Sequence, residues 1–364
     1  MTTSIEHHDR AWLEVNLAAV VRNASRIAAL VGRPLLAMLK ADGYGLGAVA
    51  VSRALEPIAP WGFGVATIEE GATLRTAGVE RPIVVFTPML PEEAPRLAFH
   101  GLRPVIGDLE ALDAWQSAGG NGAFHVEIDT GMSRSGFRWH DTGQLDALRP
   151  RLAGAAGWEG VFTHFHSSDT DAEATNDQWD RFEEIVASLP GRPPLVHAAN
   201  SAACAFGERY AADLVRPGIF LYGGRAGTLE PEPVAALRGR VVALRRLRID
   251  DSVSYDAEAV VEHDTTIATI AIGYADGVPR TLGNGGPVEL NSAVMRIAGR
   301  VTMDMVMVDT GGAEVAVGDT ATLFGGLVAL DDQAAQAGTN TYELLTRVTA
   351  RVPRRYVEGE PRDR

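Results

Sequence analysis

The sequence predicts an α/β protein: an N-terminal (β/α)8 barrel followed by a C-terminal, mostly-β domain. Three observations carry this. Short apolar runs alternate with amphipathic helical stretches up to about residue 230. Beyond that point the helical patterns give way to β-rich runs cut by glycine turns. Polar residues able to do chemistry stand just after the apolar runs, the end of a barrel strand where active sites collect.

The elements follow in order. Leu17, Val20, Val21, Ala24, Ile27, Ala28 and Val31 have helical spacing, with Asn16 as N-cap. Leu35–Leu39 reads as the first barrel strand and Gly62–Thr67 as the second. Thr67–Gly78 reads as a helix, with Thr67 and Glu70 at capping-box spacing and Gly78 as the stop. Pro82–Thr87, Arg103–Ile106, Phe124–Asp129 and Glu159–Phe165 read as strands three to six. A helix over Asn176–Leu189 precedes the last two, Leu195–Ala198 and Leu214–Arg216. The runs are nearly continuously apolar, as expected when both faces of a parallel sheet are buried. Glu230-Pro231-Glu232-Pro233 is a stiff connector, which gives domains of 1–230 and 231–364. In the second, β runs are expected at Arg240–Ile249, Thr265–Ile272, Ala293–Ile297, Met305–Asp309 and Asp319–Phe324, and a helix near Thr341–Arg351.

Composition narrows the function. The net charge of −14 argues against a nucleic-acid surface. Cys204 is the sole cysteine, so neither an internal disulfide nor a cysteine-based zinc site can form. Met1–Arg10 has no apolar core of a secretory signal, and no run approaches the roughly 18 apolar residues of a membrane helix. The expectation is a cytoplasmic protein without metal.

Lys40 is the only lysine; all other basic side chains among the 33 lysines and arginines are arginine. Arginine serves wherever a fixed cation is needed. Lysine alone can lose a proton and condense with a carbonyl, the way pyridoxal phosphate (PLP) is held. Lys40 follows a buried strand, where desolvation depresses an amine pKa. Gly43 and Gly45 suggest a tight turn that keeps Tyr44 close. Arg134 follows strand five, His164 strand six, and Asn200-Ser201 strand seven; Arg216-Pro217-Gly218-Ile219 ends strand eight. Barrels often bind phosphate in the loops after strands seven and eight. Taken singly, each has a plainer reading: His164 as a hydrogen-bonded core histidine, Arg216 as the partner of an acid such as Asp213, and Ser201 as a helix cap. On one rim they read as a PLP site.

Nearly the whole chain resembles the alanine racemases, PLP enzymes of fold type III. Ala37-Met38-Leu39-Lys40-Ala41-Asp42-Gly43-Tyr44-Gly45 resembles the cofactor-lysine segment. Glu127-Ile128-Asp129-Thr130-Gly131-Met132-Ser133-Arg134 resembles the substrate-arginine segment. Asn200-Ser201-Ala202-Ala203, Val253-Ser254-Tyr255, Ile272-Gly273-Tyr274-Ala275-Asp276-Gly277, Gly299-Arg300-Val301 with Met303-Asp304, and Tyr342-Glu343 match in order.

The resemblance implies a PLP-dependent racemase that interconverts L- and D-alanine for cell-wall peptidoglycan. It implies that Lys40 holds the cofactor and, with Tyr255, moves the protons. Tyr44, Ser201, Gly218, Ile219 and Tyr342 would hold the phosphate, His164 would lie by the ring, and Arg216 would bond its nitrogen. Arg134 would meet the substrate carboxylate, Tyr255 and Met303 would come from the partner of a homodimer, and Asp304 would support them. Tyr274, Arg280, Arg300 and Asp169 would line an entry corridor. Glu127 stands where many relatives have a lysine that becomes a carbamate, and its carboxylate can supply that negative charge directly to Arg134. Leu46, Thr302 and Asn340 also depart from the usual residues. A racemase of other amino acids, such as serine, stays open. A decarboxylase of this fold needs a C-terminal-domain cysteine, and Cys204 lies in the barrel. A PLP-carrier protein is a lone barrel, and an aldolase or dehydratase of this fold would want a divalent metal.

Overall fold

The computed structural model describes residues 9–118 and 122–357. Residues 1–8 of the segment read for a signal lie outside them. The chain forms two compact units, one built from Val20–Leu221 with Arg225–Pro231, the other from the N-terminal strand and Glu232 onward.

In the first unit seven strands pair in parallel and in chain order. They are Leu36–Met38, Gly62–Val65, Ile83–Pro88, Arg103–Ile106, Phe124–Asp129, Trp158–Phe162 and Leu195–His197. The expected eighth strand shrinks to two parallel bridges, Leu35 with Val215 and Asn200 with Arg216, which join the last strand to the first. Leu36 donates to the Val215 carbonyl at 2.8 Å and Met38 to that of Pro217 at 3.0 Å. Pro217 has no N–H to offer in return, so the ladder stops there. All residues of the second and fifth strands are buried, as a sheet covered on both faces requires. The helices start where the sequence places caps. Asn16 Oδ1 accepts from Ala19 N–H at 3.0 Å, and Thr67 and Glu70 form the capping box. The helix expected at Asn176 begins earlier, at Ala172, because Asp171 caps it.

The second unit is an eight-stranded sheet. Ala235–Leu247, Thr265–Ile270, Val306–Asp309, Ala293–Ile297, Pro287–Leu290 and Thr320–Phe324 pair in sequence, and the first pairs with both of its neighbours in this ring. Ala11–Asn16 adds to Ala235–Leu247 and is followed by Arg354–Val357. This changes the expected division. The boundary at 230 assigns residues 11–16 to the barrel, but their hydrogen bonds run to 235–239, and Leu13 and Val15 are buried in this unit. The helix Leu330–Gln336 and the strand Pro287–Leu290 have no counterpart among the sequence-read elements.

Candidate active site

Lys40 opens a turn of unusual hand. Ala41, Asp42, Gly43, Tyr44 and Gly45 all have positive φ, from 53° to 83°. Gly43 donates to the Leu39 carbonyl at 2.8 Å and Gly45 to that of Ala41 at 2.7 Å. These are the i to i−4 bonds of a single left-handed helical turn. Lys40 and Tyr44 stand at its two ends. Among the described residues none hydrogen-bonds or ion-pairs with the Lys40 amine. Burial lowers its pKa, with help from Arg134 and Arg216 and opposition from Glu70.

Tyr44 is buried against the loop after the eighth strand. A Cβ on Gly218 would lie 2.3 Å from the Tyr44 hydroxyl, so only glycine lets them meet. Ser201 Oγ accepts from Gly218 N–H at 2.8 Å and, more weakly, from Phe220 N–H at 3.4 Å. It is therefore not a helix cap; Asn200 Oδ1 accepts from Ala203 N–H at 3.0 Å in the turn that leads into the next helix. Tyr44, Ser201, Gly218 and Ile219 thus come together as one buried group of small hydroxyls and amides.

Arg216 is 4% exposed and carries the interior. Its Nη2 donates to the carbonyls of Thr163 and Ala198, at 2.9 and 3.0 Å, and lies 3.3 Å from His164 Nδ1. Its Nη1 lies 2.9 Å from His197 Nδ1. Asp213 pairs with Arg192 instead. Among the described residues nothing accepts from Arg216 Nε. Burial lowers its pKa to about 10, and Glu127 opposes the fall. It remains a cation at neutral pH.

A chain of hydrogen bonds continues from Arg216 into the barrel. His197 Nε2 lies 2.8 Å from His125 Nδ1, and His125 Nε2 lies 3.1 Å from Glu159 Oε2. Glu159 also accepts from Arg103 at 2.6 and 3.2 Å. Guanidinium can only donate and carboxylate can only accept, so both ends fix the protons between them. His197 accepts at Nδ1 and donates at Nε2; His125 does the same. Burial keeps both rings neutral by lowering their pKa values. At Glu159 burial opposes ionisation, but the bonds from His125 and Arg103 prevail and hold its pKa at about 2. Phe162 stacks on His197 at 5.0 Å and 9°. Sequence reading missed this chain because His125 and His197 sit inside runs that otherwise read as apolar strands.

His164 is held neutral too. Desolvation first, then Arg216, Arg134 and Lys40, bring its pKa to about 3. Glu127 is buried and accepts from Ser135 Oγ at 2.7 Å, with Arg134 Nη2 3.9 Å from its other oxygen. Burial raises its pKa; the Ser135 bond and Arg134 partly offset that. Asp129 Oδ1 shapes the loop that carries Arg134 by accepting from Gly131 N–H at 3.0 Å and Ser133 N–H at 2.9 Å. Asp169 lies on the exposed turn after the sixth strand. Leu46 is fully buried.

In the second unit Tyr255 is 68% exposed on a short turn, Tyr255–Ala257. Arg300 braces that turn, pairing with Asp256 at 2.5 Å and with Glu258. Ser254 Oγ donates to the Arg300 carbonyl at 3.1 Å. Arg280 lies 5.9 Å from the Tyr274 ring. Met303 is 52% exposed, and its carbonyl accepts from Ala275 N–H at 3.0 Å. Thr302 Oγ1 donates to the Met305 carbonyl at 2.7 Å. A Cβ on Gly273 would lie 2.4–2.6 Å from the backbone of Thr302, Met303 and Asp304, so the Tyr274 turn packs there only as glycine. Asp304 accepts from Arg351 at 2.6 Å. Tyr342 is half-exposed in the helix Thr341–Thr346, which Asn340 caps through Glu343 N–H at 2.9 Å.

The residues present fit PLP. A desolvated amine without a protein partner suits its aldehyde. A buried arginine with Nε still to donate suits a ring nitrogen, and the Tyr44, Ser201 and Gly218 group suits a phosphate. Such a site, on a parallel barrel in a chain that also carries an antiparallel sheet unit, defines a PLP enzyme acting on amino acids. Known proteins narrow the class. Residues 15–226 match the family described as alanine racemase, N-terminal domain, and residues 234–356 the corresponding C-terminal domain. The chain therefore belongs to the alanine racemase family. An alanine racemase of Salinispora arenicola is 37% identical over 96% of this chain and 99% of its own. Among solved structures, the biosynthetic alanine racemase of Pseudomonas aeruginosa superposes with a TM-score of 0.88 and 33% identity, over 96% of this chain and 99% of that one. That of Bartonella henselae, with covalently bound pyridoxal phosphate, gives 0.90 at 29% identity over 96% and 100%.

Proposed function

We propose that this PLP-dependent racemase interconverts L- and D-alanine, with Lys40 and Tyr255 as its two proton-transfer groups. The observation that carries the site is the unpartnered Lys40 amine on the rim that also holds Arg216, which keeps its Nε for a ligand. When bound, the cofactor supplies an electron sink for the substrate α-carbon. The chain does the rest. Tyr44, Ser201, the Ile219 amide and Gly218, whose N–H turns from Ser201 Oγ to the ligand, hold the phosphate, with Tyr342. Arg216 donates to the ring nitrogen, and it cannot give up a proton there because guanidinium does not deprotonate in a protein. Arg134 takes the substrate carboxylate, and Glu127 steadies Arg134.

Inversion needs a base on one face of the α-carbon and an acid on the other. Lys40 Nζ serves one face. Its lowered pKa keeps more of it neutral and able to accept a proton. Tyr255 Oη serves the opposite face. We infer a homodimer in which the partner's Tyr255 and Met303 complete each site, with Asp304 behind them and Tyr274, Arg280, Arg300 and Asp169 toward the entry. The exposure of Tyr255 and Met303 on their own chain supports this. D-alanine for peptidoglycan, made in the cytoplasm, is the role this reading implies. Among the described residues no helix is long and apolar enough to cross a membrane.

The test is turnover of L-alanine in deuterated water with PLP, followed by chiral separation and α-deuterium content. D-alanine carrying α-deuterium is expected. Exchange without inversion would remove Tyr255 from the scheme, and faster inversion of serine would reassign the substrate.

A further inference from the structure

The left-handed turn after Lys40 contains three residues with a side chain, Ala41, Asp42 and Tyr44, in a region L-residues disfavour. Something must hold it. Asp42 Oδ1 accepts from Ala48 N–H at 2.8 Å, which fixes the far side. The near side is held by Glu70, from the start of the helix Ile68–Thr76.

Glu70 does more than cap its own helix. Its Oε2 accepts from Ala66 N–H at 2.7 Å and Thr67 N–H at 3.3 Å, the ordinary return arm of a capping box. Its Oε1 reaches another part of the chain and accepts from Ala41 N–H at 2.7 Å. That amide directly follows the Lys40 α-carbon. A capping box uses only one carboxylate oxygen; here both face backbone donors. A glutamine would present its NH2 to one set of N–H groups, so the position requires an acceptor-only side chain.

We propose that Glu70 is a positioning residue for Lys40, clamping the left-handed turn so that the lysine and Tyr44 keep a fixed spacing. This rests on the reading of Lys40 as the cofactor lysine. In that reading the amine is released and recaptured in each turnover while its main chain stays in place. The negative charge also raises the Lys40 pKa against the burial and the arginines that lower it. Glu70 therefore acts on Lys40 through both geometry and charge.

The holoenzyme carrying Glu70→Gln tests this beside Thr67→Ala. Thr67→Ala breaks the same capping box, where Glu70 N–H donates to Thr67 Oγ1 at 3.2 Å, but leaves the bond to Ala41. Glu70→Gln is expected to lower kcat by about tenfold with KM within about twofold, and to move the acid limb of kcat to lower pH. Amide exchange in the segment 40–46 should quicken about tenfold. Thr67→Ala should show none of these. Glu70→Asp keeps the charge at shorter reach, so it should loosen the segment without moving the limb. Equal behaviour of Glu70→Gln and Thr67→Ala, or an unchanged exchange rate in 40–46, would overturn the proposal. Exchange is read without turnover, so a chain that fails to racemise alanine would sink the proposed function and still leave the Glu70 clamp tested.

Discussion

Glu159→Gln should damage the barrel from a position several bonds away from the cofactor group. In the native chain Arg216, His197, His125, Glu159 and Arg103 form a sequence in which each contact sets a donor against an acceptor. The substituted amide has one acceptor atom and one donor atom. Glu159 Oε2 accepts from both Arg103 Nε and His125 Nε2, and Oε1 only from Arg103 Nη2. The amide oxygen therefore takes the Oε2 place and keeps both of those donors. Its NH2 then faces Arg103 Nη2, a donor against a donor. The misfit falls on Arg103, while His125 and His197 keep their Nε2–H protons. One buried unsatisfied donor costs about 1–3 kcal/mol, and the lost charge on the acceptor adds to it, so about 2–3 kcal/mol of stability should go. Urea unfolding measures this. 15N spectra of the histidines should show that His125 and His197 both keep their Nε2–H tautomers. The difference should shrink in acid. Glu159 has a depressed pKa, so its contribution is full above 4.5 and fades as pH falls toward 2. The shift alone would give about 3 kcal/mol; partial exposure screens it to roughly 2. Adding Arg103→Met removes the donor that faces the NH2 and should restore part of the stability. A Glu159→Gln protein with native stability at pH 7, or one in which either histidine carries its proton on Nδ1, would refute this reasoning.

Three other perturbations follow from the geometry. Gly218→Ala places a methyl 2.3 Å from the Tyr44 hydroxyl, which must retreat by about 1 Å; PLP affinity should fall about a hundredfold in an absorbance titration, with circular dichroism unchanged. Equal affinity would mean that Tyr44 does not hold the phosphate. Glu127→Gln should raise KM for alanine a few-fold with kcat nearly kept. Because burial raises the Glu127 pKa, native kcat/KM should show an acid limb above the usual carboxylate range, and the variant should lack it; an identical pH profile would show that Arg134 is oriented otherwise. Tyr255→Phe should abolish racemisation while α-deuterium exchange of one enantiomer persists, and retained racemisation would exclude the tyrosine as an acid.

Much of the barrel was legible because its signals are local. Thr67 and Glu70 announce their capping box by spacing, and the strand runs are short, apolar and bounded. Ala11–Asn16 was not legible: its partner, Ala235–Leu247, lies far along the chain, and the strand reads like a lead-in to the first helix. The candidate site residues are legible as polar side chains following apolar runs. His125 and His197 escaped because they lie within the runs, where polar residues read as interruptions. The hand of the Lys40 turn escaped for another reason. Gly43 and Gly45 signal a turn, but nothing local says that Ala41, Asp42 and Tyr44 also take positive φ. Glu70 imposes part of that from another segment.

The partners chosen for Arg216 explain much of the rest. A buried arginine usually meets a carboxylate, which would cancel its field. Here its bonds go to two carbonyls and to imidazoles that desolvation keeps neutral. The nearest anion in the chain of contacts, Glu159, is separated from it by both histidines. Apart from Nε the cation is satisfied as a donor, and its charge is compensated only in part, by Glu127. Its field, with that of Arg134, then acts on the site, drawing anionic groups and lowering the pKa values of Lys40 and His164 together. Glu127, the buried carboxylate beside Arg134, raises the Arg216 pKa in return. A neutral histidine chain and one nearby carboxylate thus set how positive the rim is, and a lone lysine placed there is pushed toward giving up its proton.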